Sequence, residues 1–185
     1  LLLLAHGQAG TGKSYLIRRL IDRTGGDSQS HSEMVISCAA AQGLPASALP
    51  GGRTLHSLAS VDVRTNQLQS SASSAVARAK LMMASTRLLI IDECSAVPAT
   101  LFELVETRLR EFQAEPLLPF GGLGIVLFGD FAQLSPVGQG LLTAPATSKA
   151  GTLFRQFNRM NLTLQLRAEG DVAWSEVISY FRDPT

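Results

Sequence analysis

The 185-residue sequence predicts an α/β domain built on a mainly parallel sheet of about five strands. Three observations carry that expectation. Apolar runs recur at residues 1–5, 34–38, 88–91, 125–128 and 162–166, with helical patterns between them. These runs are nearly continuous rather than alternating, as expected of strands covered on both faces. Finally, the stretch GQAGTGKS at residues 7–14 directly follows the first run and directly precedes Tyr15, Leu16, Ile17, Leu20 and Ile21, which are apolar at helical spacing. Strand, glycine loop and helix is the context in which G-x-x-x-x-G-K-[ST] becomes a phosphate site.

The elements come in order. A first helix covers residues 14–23, and a polar loop covers 24–32. Residues 62–74 are rich in Ser and Gln and read as an exposed excursion. A second helix spans 74–84. A third spans 99–112, with Leu101, Leu104, Val105, Leu109 and Phe112 on one face. Pro116, Pro119, Gly121, Gly122 and Gly124 separate it from the next strand. Residues 135–148 read as a loop, and 151–157 and 172–181 as shorter helices. No internal repeat and no linker between two domains is visible, so residues 1–185 read as a single domain.

Composition narrows the class. Hydrophobic residues make up 45% and charged residues 17%, which is globular rather than disordered. The formal net charge is +1, so any nucleic-acid surface must be local. Cys38 and Cys94 lie far apart in apolar runs and form no metal-binding pair; they read as buried reduced thiols, and an intracellular protein is the simplest expectation. The opening four leucines are too short for a signal sequence or a membrane span. With no initial Met, the chain reads as a piece of a longer polypeptide cut at the first strand of a domain.

The chemistry lies at the ends of the predicted strands. In Gly7, Gln8, Ala9, Gly10, Thr11, Gly12, Lys13 and Ser14, the glycines let backbone N–H groups close around a phosphate, and the helix N-terminus adds its dipole. Lys13 is placed to reach the β- and γ-phosphates of ATP and Ser14 to ligate Mg²⁺. At residues 88–93 four apolar residues end in Asp92 and Glu93, a buried strand delivering carboxylates at its carboxyl end. Asp92 is placed to hold the metal and Glu93 to polarise a water as general base. A third stretch, residues 129–137, also comes directly after an apolar run. Its Gln133 can sense a γ-phosphate by hydrogen bonding; equally, Asp130 and Gln133 can serve only to satisfy backbone groups of a loop.

Three segments then add a family resemblance. GDFAQLSPV at 129–137 resembles the GDxxQLxPV motif of superfamily I helicases in the RecD and PIF (petite integration frequency) branch. GGRTLHSLA at 51–59 resembles the GGxTxHSxA signature of PIF-type DNA helicases, and IIDECSAV at 90–97 resembles their IIDExSMV element, with Ala96 where Met is usual. The motifs stand in the family's order. The resemblance implies a three-layer RecA-like motor domain of an ATP-dependent 5′-to-3′ DNA helicase, with roles in repair, recombination and telomere upkeep in the nucleus or mitochondrion. It implies that Gln133 couples the γ-phosphate to movement between domains, and that Arg167 reaches the γ-phosphate as the arginine of the next motif. It further implies that Thr54, His56 and Ser57 lie near a single-stranded DNA path, where the charge of Arg53 can add a screened electrostatic contact. For His56 the residues themselves leave a local structural role equally open.

The partners implied are single-stranded DNA, duplex junctions and a second RecA-like domain of the same polypeptide, with no membrane. The sequence departs from the family where its Ala-Pro-Thr-Gly stretch becomes Cys38-Ala39-Ala40-Ala41-Gln42-Gly43. Two other readings fit parts of the pattern: a nucleotide-dependent interaction switch without translocation, and a helicase remnant that retains only fold and binding.

Overall fold

The computed structural model describes residues 1–25, 35–133 and 136–166. In chain order the elements are β1 (Leu2–Gly7), α1 (Lys13–Gly25), β2 (Val35–Ala40), α2 (Gly43–Ser47), β3 (Arg53–Thr54), α3 (Leu55–Ala59), β4 (Val61–Asp62), β5 (Gln67–Leu68), α4 (Ser74–Met83), β6 (Thr86–Asp92), α5 (Ala99–Gln113), β7 (Gly124–Gly129), α6 (Lys149–Phe154) and β8 (Asn158–Leu162). Six strands form one sheet in the order β3-β2-β6-β7-β1-β8. Every pairing in it is parallel.

The alternation of side chains along β6 divides the core into two layers. Leu89 and Ile91 join one cluster, with Phe102, Val105 and Leu109 of α5 and Leu153 and Phe154 of α6. Leu88 and Ile90 join the other, against Ile17 of α1. Both faces are therefore covered, which is why the strands read as unbroken apolar runs. Each such side chain removed from water contributes roughly 1.5–3 kcal/mol.

One expectation needs correction and two are sharpened. The sheet has six strands rather than about five, because the two-residue β3 pairs with the edge of β2. The strand expected at 162–166 lies earlier, at Asn158–Leu162. Its sequence is polar because it lies at the sheet edge beside β1 and is largely exposed. Residues 62–74 are largely exposed, as expected, and the excursion begins with an antiparallel pairing of β4 and β5. The helices otherwise stand near their expected positions, the shorter one at Lys149–Phe154 rather than 151–157. The segment 172–181 lies outside the described residues, as does Met34.

Two buried charges anchor what the strand pattern does not explain. Arg108 of α5 is 1% exposed. It donates to the carbonyl oxygens of Ala59 (3.1 Å) and Gln69 (2.5 Å), and pairs with Glu111 at 2.7 Å. It thereby ties α3 and the β4–β5 hairpin to the central helix. Glu106, also fully buried, pairs with Lys149 of α6 at 2.8 Å and with Arg110, and accepts the Phe120 N–H. Burial pushes its carboxyl up, but Lys149 and Arg110 outweigh burial and hold it below the ordinary value.

Replacing Arg108 with Ala leaves the Ala59 and Gln69 carbonyls without their donor. The expected loss is about 2–4 kcal/mol of unfolding free energy in urea. A loss under about 1 kcal/mol would show that the hairpin is held by something else.

Candidate functional site

The phosphate loop is shaped by its glycines and by Lys13. Gly10 and Gly12 sit at φ 87° and 84°, a region that side chains rarely adopt. A Cβ on Gly7 would meet Thr11 Oγ1 at 2.6 Å and the Leu162 carbonyl at 2.7 Å, so the chain can pass there only as glycine. The buried Lys13 ammonium donates to the carbonyls of Gly7 (2.8 Å) and Gln8 (3.0 Å), closing the loop on itself. An ammonium has three donors, so one is left for a phosphate oxygen.

Two further segments grip the same loop. The Ala9 N–H donates to Asp130 Oδ2 at 3.0 Å. On the other side, Gln165 Nε2 donates to the Ala9 carbonyl (2.9 Å) and the Leu166 N–H to the Gly10 carbonyl (2.9 Å). The apolar run LTLQL, expected as a strand, thus runs on past the sheet and clasps the phosphate loop.

The acids come from the end of β6. Asp92 is 8% exposed and accepts the Glu93 N–H at 2.9 Å. Burial pushes its carboxyl above the ordinary value, against the Glu93 N–H and the Lys13 charge. Glu93 is raised too, by burial and then by the Asp92 charge, while Lys13 opposes and the Asp130 charge adds to the rise. Glu93 also takes a left-handed backbone conformation (φ 51°, ψ 43°), which costs a non-glycine residue roughly 1–2 kcal/mol. That kink ends the strand and turns Glu93 toward the cleft. The neighbouring thiols are inert: both cysteines are free and buried, and burial raises Cys38 to about 11 and Cys94 further.

A cleft of about 610 Å³ is lined by Gly12, Lys13, Ser14, Glu93, Gln133 and Leu166, among others. An adjoining space of about 780 Å³ shares Glu93 and Gln133 and is bounded by Ala41, Gln42 and Pro45. The structure therefore gathers Lys13, Ser14, Glu93 and Gln133 around one volume, with Asp92 behind them. The donor set suits Mg²⁺: it consists of hard oxygens, few enough to leave positions for water and phosphate. No cluster of three or more His, Cys, Asp or Glu is present among the described residues, so nothing there forms an all-protein cage.

The segment 53–57 stands apart. The β3 edge lies four strand spacings from β1, roughly 19 Å at the usual inter-strand distance. Thr54 caps α3, its hydroxyl accepting the Ser57 N–H at 3.2 Å. Arg53, Thr54, His56 and Ser57 line a separate groove of about 520 Å³, joined there by Arg78 of α4. Arg167 lies outside the described residues. The sequence reading missed Asp130 as a site residue. Its signal is the fixed Asp of the GDxxQLxPV pattern at 129–137, where the residues alone leave it a role in satisfying loop backbone groups.

A parallel sheet with a glycine phosphate loop after one strand, and paired acids after another, defines a P-loop NTPase domain. The sequence model of the family described as "PIF1-like helicase" matches residues 2–181, and the chain belongs to that family. The chain is 30% identical over 181 residues to the ATP-dependent DNA helicase PIF1 of Trypanosoma brucei brucei, covering 98% of this chain and 17% of that protein. Among solved structures, Bacteroides Pif1 bound to ssDNA superposes with a TM-score of 0.77 at 26% identity, over 99% of this chain and 43% of that one. Bacteroides Pif1 in complex with ADP-AlF3 and ssDNA gives 0.75 at 26% identity, over 98% and 42%. The chain thus spans less than half the length of these relatives.

The raised Asp92 carboxyl sets a stability trend. The folded state holds the Asp92 proton more tightly than the unfolded chain does. That contribution is fully present below the unfolded value of about 3.9 and is lost as pH rises through the folded value. Asp92→Asn, which stays neutral, should therefore melt above wild type at neutral pH in metal-free buffer, and the gap should close as the pH falls through the carboxyl range. Melting scans from pH 7.5 to pH 4 check this, and a gap that widens toward acid would contradict it.

Proposed function

We propose that this domain is the first motor domain of an ATP-dependent DNA helicase, in which ATP hydrolysis drives translocation on single-stranded DNA. The single observation that carries the reading is the convergence of Lys13, Ser14, Glu93 and Gln133 on one cleft in a chain of the PIF1-like helicase family. Its support outside this chain is that similar proteins are named ATP-dependent DNA helicases, and that a similar structure holds ADP-AlF3 and ssDNA.

In this proposal the N–H groups of Gly10, Gly12, Lys13 and Ser14 cradle the phosphates, and Lys13 gives its remaining side-chain donor to the β- and γ-phosphates. Glu93, raised by burial and by Asp92, accepts a proton from the attacking water. Gln133 meets the γ-phosphate from the neighbouring loop. Mg²⁺, when bound, neutralises charge on the phosphate oxygens, and Ser14 and Asp92 would hold it. Arg167 supplies positive charge to the γ-phosphate as charge builds in the transition state.

A second RecA-like domain of the same polypeptide closes over the cleft, and alternate closure and opening steps the protein 5′-to-3′ and separates duplex at junctions. Arg53, Thr54, His56 and Ser57 contact backbone phosphates of the single strand without reading bases. A function in DNA repair, recombination and telomere upkeep, in the nucleus or mitochondrion, belongs to the same reading.

The test is ATP turnover by the full-length polypeptide with and without single-stranded DNA. Stimulation is expected; turnover indifferent to DNA would favour a nucleotide switch instead. Glu93→Gln should lower the stimulated kcat by at least about a hundredfold while nucleotide binding persists. Wild-type turnover in that variant would remove Glu93 as the base. Arg167→Ala should likewise depress kcat by about a hundredfold or more with ATP affinity little changed. An unchanged kcat would exclude Arg167 from the site.

A further inference from the structure

Asp130 holds together two parts of the cleft that the chain keeps far apart. It is 3% exposed, at the carboxyl end of β7. Its Oδ2 accepts two hydrogen bonds at 3.0 Å, one from the Ala9 N–H of the phosphate loop and one from Gln133 Nε2. Its Oδ1 accepts the Ala132 N–H at 3.2 Å. An ionised carboxylate only accepts, so it forces the nitrogen end of the Gln133 amide toward itself. One N–H of that amide is then committed, and the second is free for an acceptor in the cleft. Hydrogen bonds to a charged acceptor are also roughly twice as strong as neutral ones, which suits a link that must survive each opening of the site.

We propose that Asp130 is a positioning residue: it fixes the orientation of Gln133 and ties it to the phosphate loop through Ala9, so that the loop and the γ-phosphate contact respond as one unit. The inference rests on the reading that the cleft hydrolyses ATP. Asparagine has nearly the same shape but must turn an NH₂ toward one of the N–H donors that the carboxylate now accepts. Asp130→Asn therefore removes the charge that strengthens the link and leaves either the Ala9 and Gln133 donors or the Ala132 N–H without an acceptor, without opening a cavity.

The experiment is a double-mutant cycle on DNA-stimulated ATPase in the full-length polypeptide, using Asp130→Asn, Gln133→Ala and the pair, with ADP affinity measured for each. Asp130→Asn is expected to lower kcat about tenfold or more while KM for ATP and affinity for ADP move less than about threefold. In the Gln133→Ala background the same change should lower kcat by less than about twofold further, because the group it positions is already gone. Multiplicative losses in the pair would overturn the proposal. So would a kcat within about twofold of wild type for Asp130→Asn, or loss of ADP binding in it, which would assign Asp130 to the fold of the loop. Failure of the underlying reading looks different: wild-type protein would lack turnover, or Gln133→Ala alone would leave it intact.

Discussion

The position of β7 between β1 and β6 governs the cleft. In a parallel sheet all strands deliver their carboxyl ends to the same edge, and neighbouring ends lie about 4.8 Å apart. β1 ends in the phosphate loop and β6 ends in Asp92 and Glu93. With one strand between them, the loop and the acids stand about two spacings apart, and the residues at the end of β7 fall into the gap. Those residues are Gly129 and Asp130. A Cβ on Gly129 would meet Cys94 Sγ at 2.6 Å, so the strand end packs tightly beside the turn that carries Glu93. Asp130 then reaches Ala9 on one side and Gln133 on its own loop. The contact set of the cleft is a consequence of strand order.

That order is itself held by packing on both faces. The larger core layer wraps α3, α4, α5 and α6 around one side, and the smaller layer seats α1 on the other. Helix α1 must pack closely because its N-terminus carries Lys13. Ile17, one turn on, is fully buried between the strands and fixes the helix where the loop delivers it. On the opposite face, α5 does more than cover the sheet. Its buried Arg108 and Glu106 secure the hairpin and α6.

This division explains what could be read from the sequence. The strands of the sheet interior are legible because both faces are buried, and the phosphate loop and the Asp92–Glu93 pair are legible because their chemistry is written in consecutive residues. Gln133 required the family's motif, since spacing alone left its role open. β8 was misplaced because an exposed edge strand has no reason to be apolar, while the apolar LTLQL that begins at its end crosses over the phosphate loop. Nothing in the sequence sets Arg108 and Glu106 apart from other charges on a helix, and only their tertiary partners reveal them as buried. The Asp130–Ala9 contact joins residues 121 positions apart, a separation at which no local pattern carries information.

The same contrast separates stability from function in this chain. The apolar layers satisfy every local preference at once: propensity, alternation and burial agree. The cleft violates several. Glu93 sits in a left-handed conformation, two carboxyls are pushed upward by burial, and a third carboxylate stands close enough to add to that push. Lys13 opposes the rise at Asp92 and Glu93, and it is already engaged by two loop carbonyls. Positive charge entering with a ligand would offset the burial that raises these carboxyls. The strain is local to the strand ends because the two cores hold the sheet rigid beneath it. A nucleotide accompanied by its metal would relieve the crowding of negative charge, so the features that disfavour the domain alone are those that would make it respond to what binds.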